Sequence, residues 1–388
     1  MNTVKVSKKG ADRVRHGHLW IYRSDVVDVD ADGGSVVTVR DERGNFIGQA
    51  LYSDRSQIAL RFVTQSNEEI DRAWWRRRIV EAAARRKVTA DTNAFRLIYS
   101  EGDLLPSLIV DRYNDVLVLQ TLSQGTDALK TTFTEILAEE FQPRAVIERN
   151  DARVRELEGL PLISSVIYGD APEEIEILQH GLRFVVSPGA GQKTGSFLDQ
   201  RENRLAARAA AQLTNRVRAL DCFTFNGAFA LHLASVCEEV IGIDISGDAV
   251  AAAKRNAQLN ELSNVEFREA NVFDALREFE TRGERFDVVV LDPPAFAKNR
   301  ASLNSAVRGY KEINLRALKL LNAGGVLVTC TCSYHVGEEL FLEIVDQAAS
   351  DAHRRVQLVE KRMQASDHPV LLGMPETYYL KCVIGRVL

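Results

Sequence analysis

The first 65 residues alternate apolar and polar positions in short runs, a pattern typical of β-strands with one buried face. Two such runs cover residues 35–53 and 57–64. Turn-forming triplets punctuate them, Asp32-Gly33-Gly34 and Arg43-Gly44-Asn45. The pattern therefore predicts a small, barrel-like all-β module at the start of the chain.

The pattern then changes to a helix over residues 71–87, followed by strand patterns between residues 95 and 168. A second helical stretch, from Thr126 to Glu140, separates the last two of these strands. Strands mixed with single helices in this way predict a small α+β domain that connects two larger parts of the chain.

From residue 181 onward, seven strand patterns alternate with helical stretches. Repeated βα units predict an α/β fold, a Rossmann-like, mainly parallel sheet with helices on both faces. The last strand, residues 378–387, follows a proline-containing loop instead of a helix, so we expect it to return antiparallel at an edge. The three patterns together predict domains at residues 1–70, 71–178 and 179–388.

The composition limits the class of protein and the cellular location that we expect. The chain is 45% hydrophobic and 27% charged, which is typical of globular domains with sizeable cores. No apolar run approaches membrane-spanning length, and Met1 to Lys5 are not followed by a signal-peptide core. The five cysteines are odd in number and lack zinc-like pairing, so no metal site is predicted. We expect a cytoplasmic protein with no membrane partner.

The net charge of −5 is unevenly distributed. Residues 1–87 hold 17 Lys and Arg against 12 Asp and Glu, whereas the remainder holds 32 against 42. A basic N-terminal part suggests contact with a polyanion, and random surface imbalance is the alternative. Interleaved basic and aromatic side chains near the start suit phosphate contact and base stacking: Lys8, Lys9, Arg13, Arg15, His16, His18, Trp20 and Tyr22.

The helix predicted over residues 71–87 carries a second basic group. RNA contact and an ordinary solvated face are about equally consistent with it. Its members are Arg76, Arg77, Arg78, Arg85, Arg86 and Lys87.

The first turn of the C-terminal α/β pattern predicts the ligand. Residues 221–227 contain Asp221, Phe223 and Gly227 but lack the Gly-x-Gly-x-x-Gly fingerprint of dinucleotide binding. Asp244 ends the next strand, where a carboxylate can accept hydrogen bonds from both ribose hydroxyls. A nucleoside without phosphates on such a sheet indicates S-adenosylmethionine. A simple helix cap is the alternative for Asp244.

Other candidate cofactor contacts lie on either side of this turn. Asn271, after the third strand, could meet adenine or could cap the helix that begins near Phe273. Lys193, Gln200 and Arg201 lie where the chain enters the domain, and a positive side chain there suits the carboxylate of the cofactor's methionine end. Arg201 and Arg204 could instead line a helix face.

The residues at the ends of two further strands predict the type of reaction. Asp292-Pro293-Pro294 ends one buried strand, and Cys332 follows the next. The carboxyl ends of adjacent parallel strands open onto one crevice, so we expect Asp292 and Cys332 to face a shared cavity. A thiolate that adds to C6 of a pyrimidine makes C5 nucleophilic, and such a site also needs a carboxyl group at the pyrimidine edge. We expect neighbouring Cys330 to belong to the core.

The chain resembles the bacterial 23S ribosomal RNA cytosine-C5 methyltransferases over essentially its whole length. The motifs that carry the resemblance are KTGSFLDQRENR, DCFTFNGAF, FDVVVLDPPAF, RGYKEINLRAL and the Thr-Cys-Ser around Cys332. The resemblance implies an N-terminal PUA RNA-binding domain, a central α+β domain and a seven-stranded class I methyltransferase domain.

The resemblance also implies a function, the formation of 5-methylcytidine in large-subunit ribosomal RNA through a covalent adduct on Cys332. Implied cofactor contacts are Gln200, Arg201, Asp244 and Asn271, with Asp292 nearby. Two positions depart from the pattern. Asn271 replaces a common acid, and Ala295 stands where other RNA cytosine-C5 enzymes carry a second cysteine, which leaves the base that removes the C5 proton unassigned.

Two other functions stay open. An exocyclic-amine methyltransferase would also use Asp-Pro-Pro followed by an aromatic residue, although here Ala295 separates Pro294 from Phe296. An RNA-binding assembly factor without catalysis would keep the fold but not need Cys332. Exposed apolar strands also allow a homodimer.

Overall fold

Residues 2–189, 196–297 and 299–388 are described by a computed structural model of the chain, which forms two units. The first unit comprises Met1–Leu178, Val186–Leu198 and Ser366–Tyr378. The second comprises Gln179–Val185, Asp199–Ala365 and Tyr379–Leu388. The three-domain boundaries remain a prediction, and Lys193 lies outside the described residues. No helix of the described residues is long and apolar enough to cross a membrane.

The first unit begins with seven elements and a short 3-10 helix, Arg23–Asp25. They are β1 (Thr3–Val6), α1 (Lys8–Arg15), β2 (Trp20–Tyr22), β3 (Val26–Asp30), β4 (Val36–Asp41), β5 (Phe46–Tyr52) and β6 (Ile58–Thr64). The strands form a six-stranded sheet in the order β2-β6-β5-β4-β1-β3. Every second residue of β4 is buried, as the alternating pattern predicts.

The prediction of an all-β module missed α1. Ser7 caps this helix by accepting a hydrogen bond from the Gly10 amide at 3.2 Å, and Ala11 and Val14 bury its inner face. Lys8 and Lys9 are exposed on its first turn. Arg13 instead pairs with Asp25 at 3.0 Å, so part of the basic and aromatic group is used within the unit.

The first unit continues with a five-stranded sheet in the order β11-β10-β9-β8-β7. Its strands are β7 (Ala94–Tyr99), β8 (Leu108–Tyr113), β9 (Val116–Thr121), β10 (Ala145–Asn150) and β11 (Ile163–Gly169). The helices are α2 (Arg72–Ala84), α3 (Gln124–Ala128) and α4 (Lys130–Phe141), with 3-10 helices at Ser100–Asp103, Arg153–Glu158 and Pro375–Thr377. Two short strands come next along the chain, β12 (Ile175–Gln179) and β13 (Leu182–Val186), and most of β13 belongs to the second unit.

The arginines of and just after α2 form ion pairs within the first unit. The pairs are Arg76 with Glu140, Arg77 with Glu68, Arg78 with Glu81, and both Arg85 and Arg86 with Asp103. Neighbouring carboxylates therefore already compensate these charges. This arrangement favours the solvated-face interpretation of the helix over RNA contact.

The second unit contains a seven-stranded sheet in the order β16-β15-β14-β17-β18-β20-β19. Its strands are β14 (Arg218–Cys222), β15 (Glu239–Asp244), β16 (Val265–Glu269), β17 (Phe286–Leu291), β18 (Leu321–Thr331), β19 (Val356–Met363) and β20 (Lys381–Val387). The helices are α5 (Arg201–Ala211), α6 (Ala228–Ala234), α7 (Gly247–Leu259), α8 (Val272–Thr281), α9 (Leu303–Leu320) and α10 (Glu338–Asp351), with 3-10 helices at Leu198–Gln200 and Arg300–Ser302.

The predicted parallel sheet is confirmed, because β14 to β18 all pair in parallel. Every residue of the central strand β17 is buried, as expected for a strand in a sheet that helices cover on both faces. The prediction for the last strand was half wrong. β20 is antiparallel, but it lies between β18 and β19 and not at the edge. Its side chains are almost all buried, whereas the exposed, polar β19 suits an edge position.

Candidate active site

A strained turn follows β14, at the point where the strand order of the sheet reverses. β14 lies between β15 and β17, so its carboxyl end opens onto the crevice where doubly wound sheets bind ligands. Phe223, Phe225 and Gly227 all have positive φ, at 64°, 50° and 84°. Two of these residues carry aromatic side chains that disfavour this conformation, so the surrounding structure must hold them in it. Such strain is typical of backbone that approaches a ligand.

Gly227 ends this turn and caps α6. A Cβ atom at this position would lie 2.6 Å from Leu231 Cδ1 and 2.9 Å from Phe267 Cζ. Both the positive φ and the lack of space therefore require glycine here. The sequence prediction singled out Gly227 from its turn position, and the structure supplies the two physical reasons.

Asp221 is fully buried at the end of β14. Its Oδ2 accepts hydrogen bonds from Thr224 Oγ1 at 2.6 Å and from the Ala230 amide at 2.9 Å. Its Oδ1 has no hydrogen-bond partner among the described residues. Burial raises the pKa of this carboxyl group to about 7. Asp221 thus holds the strained turn through one oxygen, and its other oxygen has no partner among the described residues.

Asp244 is half-buried at the end of β15 and binds the same turn. Its Oδ2 accepts from the Phe225 amide at 2.9 Å, and its Oδ1 accepts from the Ser246 amide at 3.0 Å. The cap of α7 is Ser246, not Asp244, so the simple-cap alternative is wrong. Each carboxylate oxygen can accept a second hydrogen bond, which is the property that a ribose diol needs.

Asn271 caps the next helix of the sheet, α8. Its side chain accepts from the Phe273 amide at 2.9 Å, and the residue is exposed at the carboxyl side of β16. The capping alternative is therefore realised. The amide oxygen retains a second lone pair, so capping is compatible with the predicted adenine contact.

Gln200 and Asp292 join two elements of the second unit. Gln200 is buried at the start of α5, and its Nε2 donates to Asp292 Oδ1 at 2.8 Å, while its Oε1 accepts from Asn203 Nδ2 at 2.7 Å. The amide group of Gln200 is thereby fixed in orientation. Asp292 is half-buried directly after β17, and its own amide lies 3.4 Å from the carbonyl of Cys222.

Two buried arginines lie beside these carboxylates. Arg201 and Arg204 are 2% and 3% exposed, so they line an inner and not an outer helix face. Burial lowers the pKa of Arg204 to about 10, and Asp292 and Asp221 oppose that decrease. The guanidinium of Arg204 therefore lies in the electrostatic field of both carboxylates.

The two cysteines near the end of β18 have different environments. Cys330 is fully buried opposite Cys382 of β20, and the hydrogen bond with Cys382 together with burial raises the pKa of the Cys330 thiol well above its usual range. Cys332 is half-buried. Residues two apart on a strand share a face, so alternation alone would not separate them. Because β18 ends at Thr331, Cys332 lies in the loop that follows and is not part of the buried core.

A hydroxyl network holds the loop that carries Cys332. Thr331 Oγ1 lies 2.8 Å from Tyr310 OH, and Tyr310 OH lies 2.9 Å from Ser333 Oγ. Ser333 Oγ in turn accepts from the Ala297 amide at 3.2 Å. The residues on both sides of Cys332 are thus fixed to Tyr310 of α9, and through Ser333 to the loop after Asp292. Sequence reasoning missed this network, although Tyr310 lies in one of the motifs it quoted.

Phe296 belongs to an aromatic cluster. Its ring lies 4.6 Å from the ring of Tyr310, 6.1 Å from that of Phe273 and 6.4 Å from that of Phe223. Phe296 itself is half-buried, so these rings cover only part of its side chain. The packing therefore does not decide between C5 and exocyclic-amine chemistry.

The strand order and the crevice define a class of protein, the class I methyltransferases. A family model for S-adenosylmethionine-dependent methyltransferases matches residues 157–372, and a model for a PUA-like domain matches residues 4–65. The chain belongs to the S-adenosylmethionine-dependent methyltransferase family, and its cofactor is S-adenosylmethionine.

Named relatives show which members of this family the chain is similar to. The chain is 40% identical over its whole length to 99% of "Ribosomal RNA large subunit methyltransferase I" of Tolumonas auensis. It is also 40% identical, over 95% of both chains, to the protein of the same name from Shewanella amazonensis. A putative S-adenosylmethionine-dependent methyltransferase structure from Streptococcus mutans shares the fold across 100% of both chains, at TM-score 0.84 and 19% identity.

The residues of the crevice fit S-adenosylmethionine. The strained turn, the unpartnered Asp221 Oδ1 and the Asp244 carboxylate together offer close backbone and polar groups to a nucleoside. A structural neighbour of TM-score 0.83 and 20% identity is described as complexed with S-adenosylhomocysteine. The predicted fold, family, enzyme class and cofactor are confirmed, whereas the roles of individual residues remain predictions.

Proposed function

We propose that this methyltransferase forms 5-methylcytidine in large-subunit ribosomal RNA, with Cys332 as the nucleophile. The observation that carries the proposal is the half-buried thiol just past β18, whose neighbour β17 is followed directly by Asp292. The other four cysteines are buried. A substrate base in the crevice can therefore meet the thiol of Cys332 and not the others.

The proposed chemistry starts from the thiolate. It adds to C6 of cytosine, and the S–C6 bond turns the C5–C6 double bond into an enamine that is nucleophilic at C5. S-adenosylmethionine, when bound, would supply an electrophilic methyl group to C5, because its sulfonium S–CH3 bond breaks and leaves S-adenosylhomocysteine. C5 then loses its proton to a base, the electron pair restores the C5–C6 double bond, and the S–C6 bond breaks to return the thiolate. Ala295 supplies no thiol for this last proton transfer, so the base is another group or a water molecule.

Asp292 is the proposed carboxylate at the pyrimidine edge. Gln200 holds one of its oxygens, so the carboxylate has a defined orientation at the carboxyl end of β17. We infer that the same residue also borders the cofactor, because Asp292 follows β17 and Asp221 lies near the end of the neighbouring strand β14.

The proposed cofactor contacts follow the order of the strands. Asp244 accepts from the ribose hydroxyls, Asn271 accepts from the adenine amine, and the backbone between Asp221 and Gly227, including Phe223, lies against the nucleoside. Gln200 and Arg201, with Lys193 outside the described residues, hold the methionine end. The buried guanidinium of Arg201 supports this assignment, because it offers a positive group for a carboxylate.

Ribosomal RNA as substrate is supported by the names of the relatives and by the PUA-like match. In the first unit, the exposed Lys8 and Lys9 of α1 are available to phosphates. We also propose a cytoplasmic location. A homodimer is supported only by exposed apolar side chains such as Val166 and Tyr168 on the edge strand β11, and sedimentation would test it.

Methyl transfer from labelled cofactor to ribosomal RNA, followed by nucleoside analysis, tests the proposal. We expect label in 5-methylcytidine with the natural protein and none with Cys332→Ala. RNA that carries 5-fluorocytosine should trap a covalent complex through Cys332, because fluorine at C5 blocks the final elimination. Label in an N-methylated base, without trapping, would instead establish the exocyclic-amine function. No binding of cofactor would favour the silent assembly factor.

A further inference from the structure

A buried lysine begins the strand next to the nucleophile. Lys381 is the first residue of β20, and only 4% of it is exposed. In the antiparallel ladder between β18 and β20 it lies directly opposite Thr331, the residue before Cys332. Its Nζ donates a hydrogen bond to the Tyr379 carbonyl at 3.2 Å. The register therefore places Lys381 beside the end of β18, one residue from Cys332.

Burial of an ammonium group is unfavourable unless negative charge compensates it. Burial lowers the pKa of Lys381, and the negative charges of Cys332 and Glu338 oppose that decrease. Electrostatic interactions are reciprocal, so an ammonium group stabilised by a thiolate stabilises that thiolate equally.

Three other ionisable groups of the described residues, on the elements around Cys332, carry no positive charge. Among the described residues, Tyr310 of α9 has a pKa raised mainly by burial, and Cys332 contributes to that increase. Glu338 begins α10 and pairs with Lys361 at 2.5 Å. Asp292 follows β17 and contributes to the raised pKa of Cys330. The protonated Tyr310 carries no charge, and the two carboxylates would disfavour a thiolate. Of these four described groups, Lys381 is the one whose charge favours it.

We propose that Lys381 is a positioning residue that stabilises the thiolate form of Cys332 before it attacks the pyrimidine. The proposal rests on the proposed function, since it concerns the same nucleophile. In this step the Cys332 S–H bond breaks and its proton passes to water, after which the sulfur electron pair forms the S–C6 bond. Lys381 keeps its three protons throughout and exchanges no electrons.

The pH dependence of thiol alkylation tests this role without any RNA. Iodoacetamide modification of Cys332 is followed in the full-length protein between pH 5.5 and pH 10, with Cys332→Ala as the background for the buried thiols. We expect the natural protein to show a midpoint below that of an ordinary cysteine at about 8.5. Lys381→Met should raise the midpoint by roughly 1–3 pH units, the effect of removing a nearby opposite charge. Lys381→Arg should restore it.

Controls separate charge from structure. Lys254→Met makes the same substitution at an exposed site of α7 and should leave the midpoint unchanged. Lys381→Gln keeps a donor for the Tyr379 carbonyl but removes the charge, so it should behave like Lys381→Met even if the methionine variant folds poorly. The proposal is wrong if the natural midpoint is about 8.5 or higher, or if a folded, uncharged variant keeps the low midpoint.

Failure of the proposed function would look different. If Cys332→Ala still formed 5-methylcytidine, Cys332 would not be the nucleophile, whatever the alkylation midpoint. If Cys332→Ala were inactive but Lys381→Met alkylated with an unchanged midpoint, the nucleophile would stand and the role of Lys381 would be excluded. With both correct, the pH profile of methyl transfer by Lys381→Met should shift to higher pH, and Lys381→Arg should reverse the shift.

Discussion

The two ends of the crevice are held by different physical means. After β14, the backbone itself is strained, with positive φ at Phe223 and Phe225. Asp221 holds it through the Thr224 hydroxyl, and Asp244 holds it through the Phe225 amide. After β18, the backbone is ordinary, and the hydroxyl groups of Thr331, Tyr310 and Ser333 hold the loop. The first arrangement suits a cofactor met by backbone, and the second suits a side chain that must react. Substitutions at the two ends should therefore affect different measured quantities.

The largest effect is expected at the thiol end. Cys332→Ala should reduce methyl transfer by a factor on the order of 10³ or more, because the covalent step loses its nucleophile. Cofactor affinity, measured by calorimetry, should not change. Cys330→Ala is the matched control, and it should lower the free energy of unfolding by about 1–2 kcal/mol through the cavity in the core while activity largely remains. Equal loss of activity in both variants would contradict the separation of the two cysteines.

At the cofactor end, Asp221 should make stability depend on pH. Its pKa is raised in the folded state to about 7 from 3.8, so the folded protein binds the proton more tightly than the unfolded chain does. This contribution is fully present below about pH 4 and is lost as the pH rises through 7. We expect it to decrease by about 2 kcal/mol between pH 5 and pH 7.

Urea denaturation of the natural protein and of Asp221→Asn at several pH values measures this contribution. The difference between the two free energies of unfolding should follow the stated slope, because asparagine does not titrate. A difference that stayed constant between pH 5 and pH 7 would show that burial does not protonate Asp221.

Glycine substitutions test the strain of the turn. Gly227→Ala should lower the free energy of unfolding by about 2–3 kcal/mol and weaken cofactor binding, since it combines a positive φ with a Cβ atom 2.6 Å from Leu231 Cδ1. Gly283→Ala has φ of +69° but no atom within 4 Å of the added Cβ, so it should cost only about 1 kcal/mol and leave cofactor binding intact. Similar losses at both positions would mean that backbone conformation alone, and not the close approach, requires Gly227.

The smallest effect should come from two threonines of β18. Thr331→Val removes the hydroxyl that contacts Tyr310 and should cost about 1–2 kcal/mol of stability with a reduced rate of methyl transfer. Thr329→Val replaces a buried hydroxyl that has no partner among the described residues, so it should be neutral or slightly stabilising. Thermal denaturation and kcat distinguish the pair. A rate unchanged in Thr331→Val would show that the network does not position Cys332.

Local pattern predicted much of the fold but not the neighbours of the last strand. The sequence of β20 is apolar and has no helical connection before it, which correctly predicted an antiparallel return. β20 lies between β18 and β19 because it is the more apolar of the last two strands. The more polar β19 takes the edge, where exposure to solvent costs less free energy. Such a comparison requires the assembled sheet.

The candidate site also has some features that the sequence predicts and others that only the folded structure shows. Gly227, Asp244, Asp292 and Cys332 could be chosen from the sequence, because strand ends and turn residues have local signatures that place side chains at one edge of a sheet. The contact of Tyr310 with Thr331 and Ser333 joins positions 21 and 23 residues apart in the chain. No local pattern specifies such a contact.

Local periodicity and short motifs were enough to predict the α/β class, the methyltransferase family and the residues at the strand ends. Tertiary structure supplied the reason why Cys332 and not Cys330 leaves the core, since that depends on where β18 ends and on what packs against it. It also decided that Lys381 lies opposite Thr331, because strand register follows from the packing of the whole sheet.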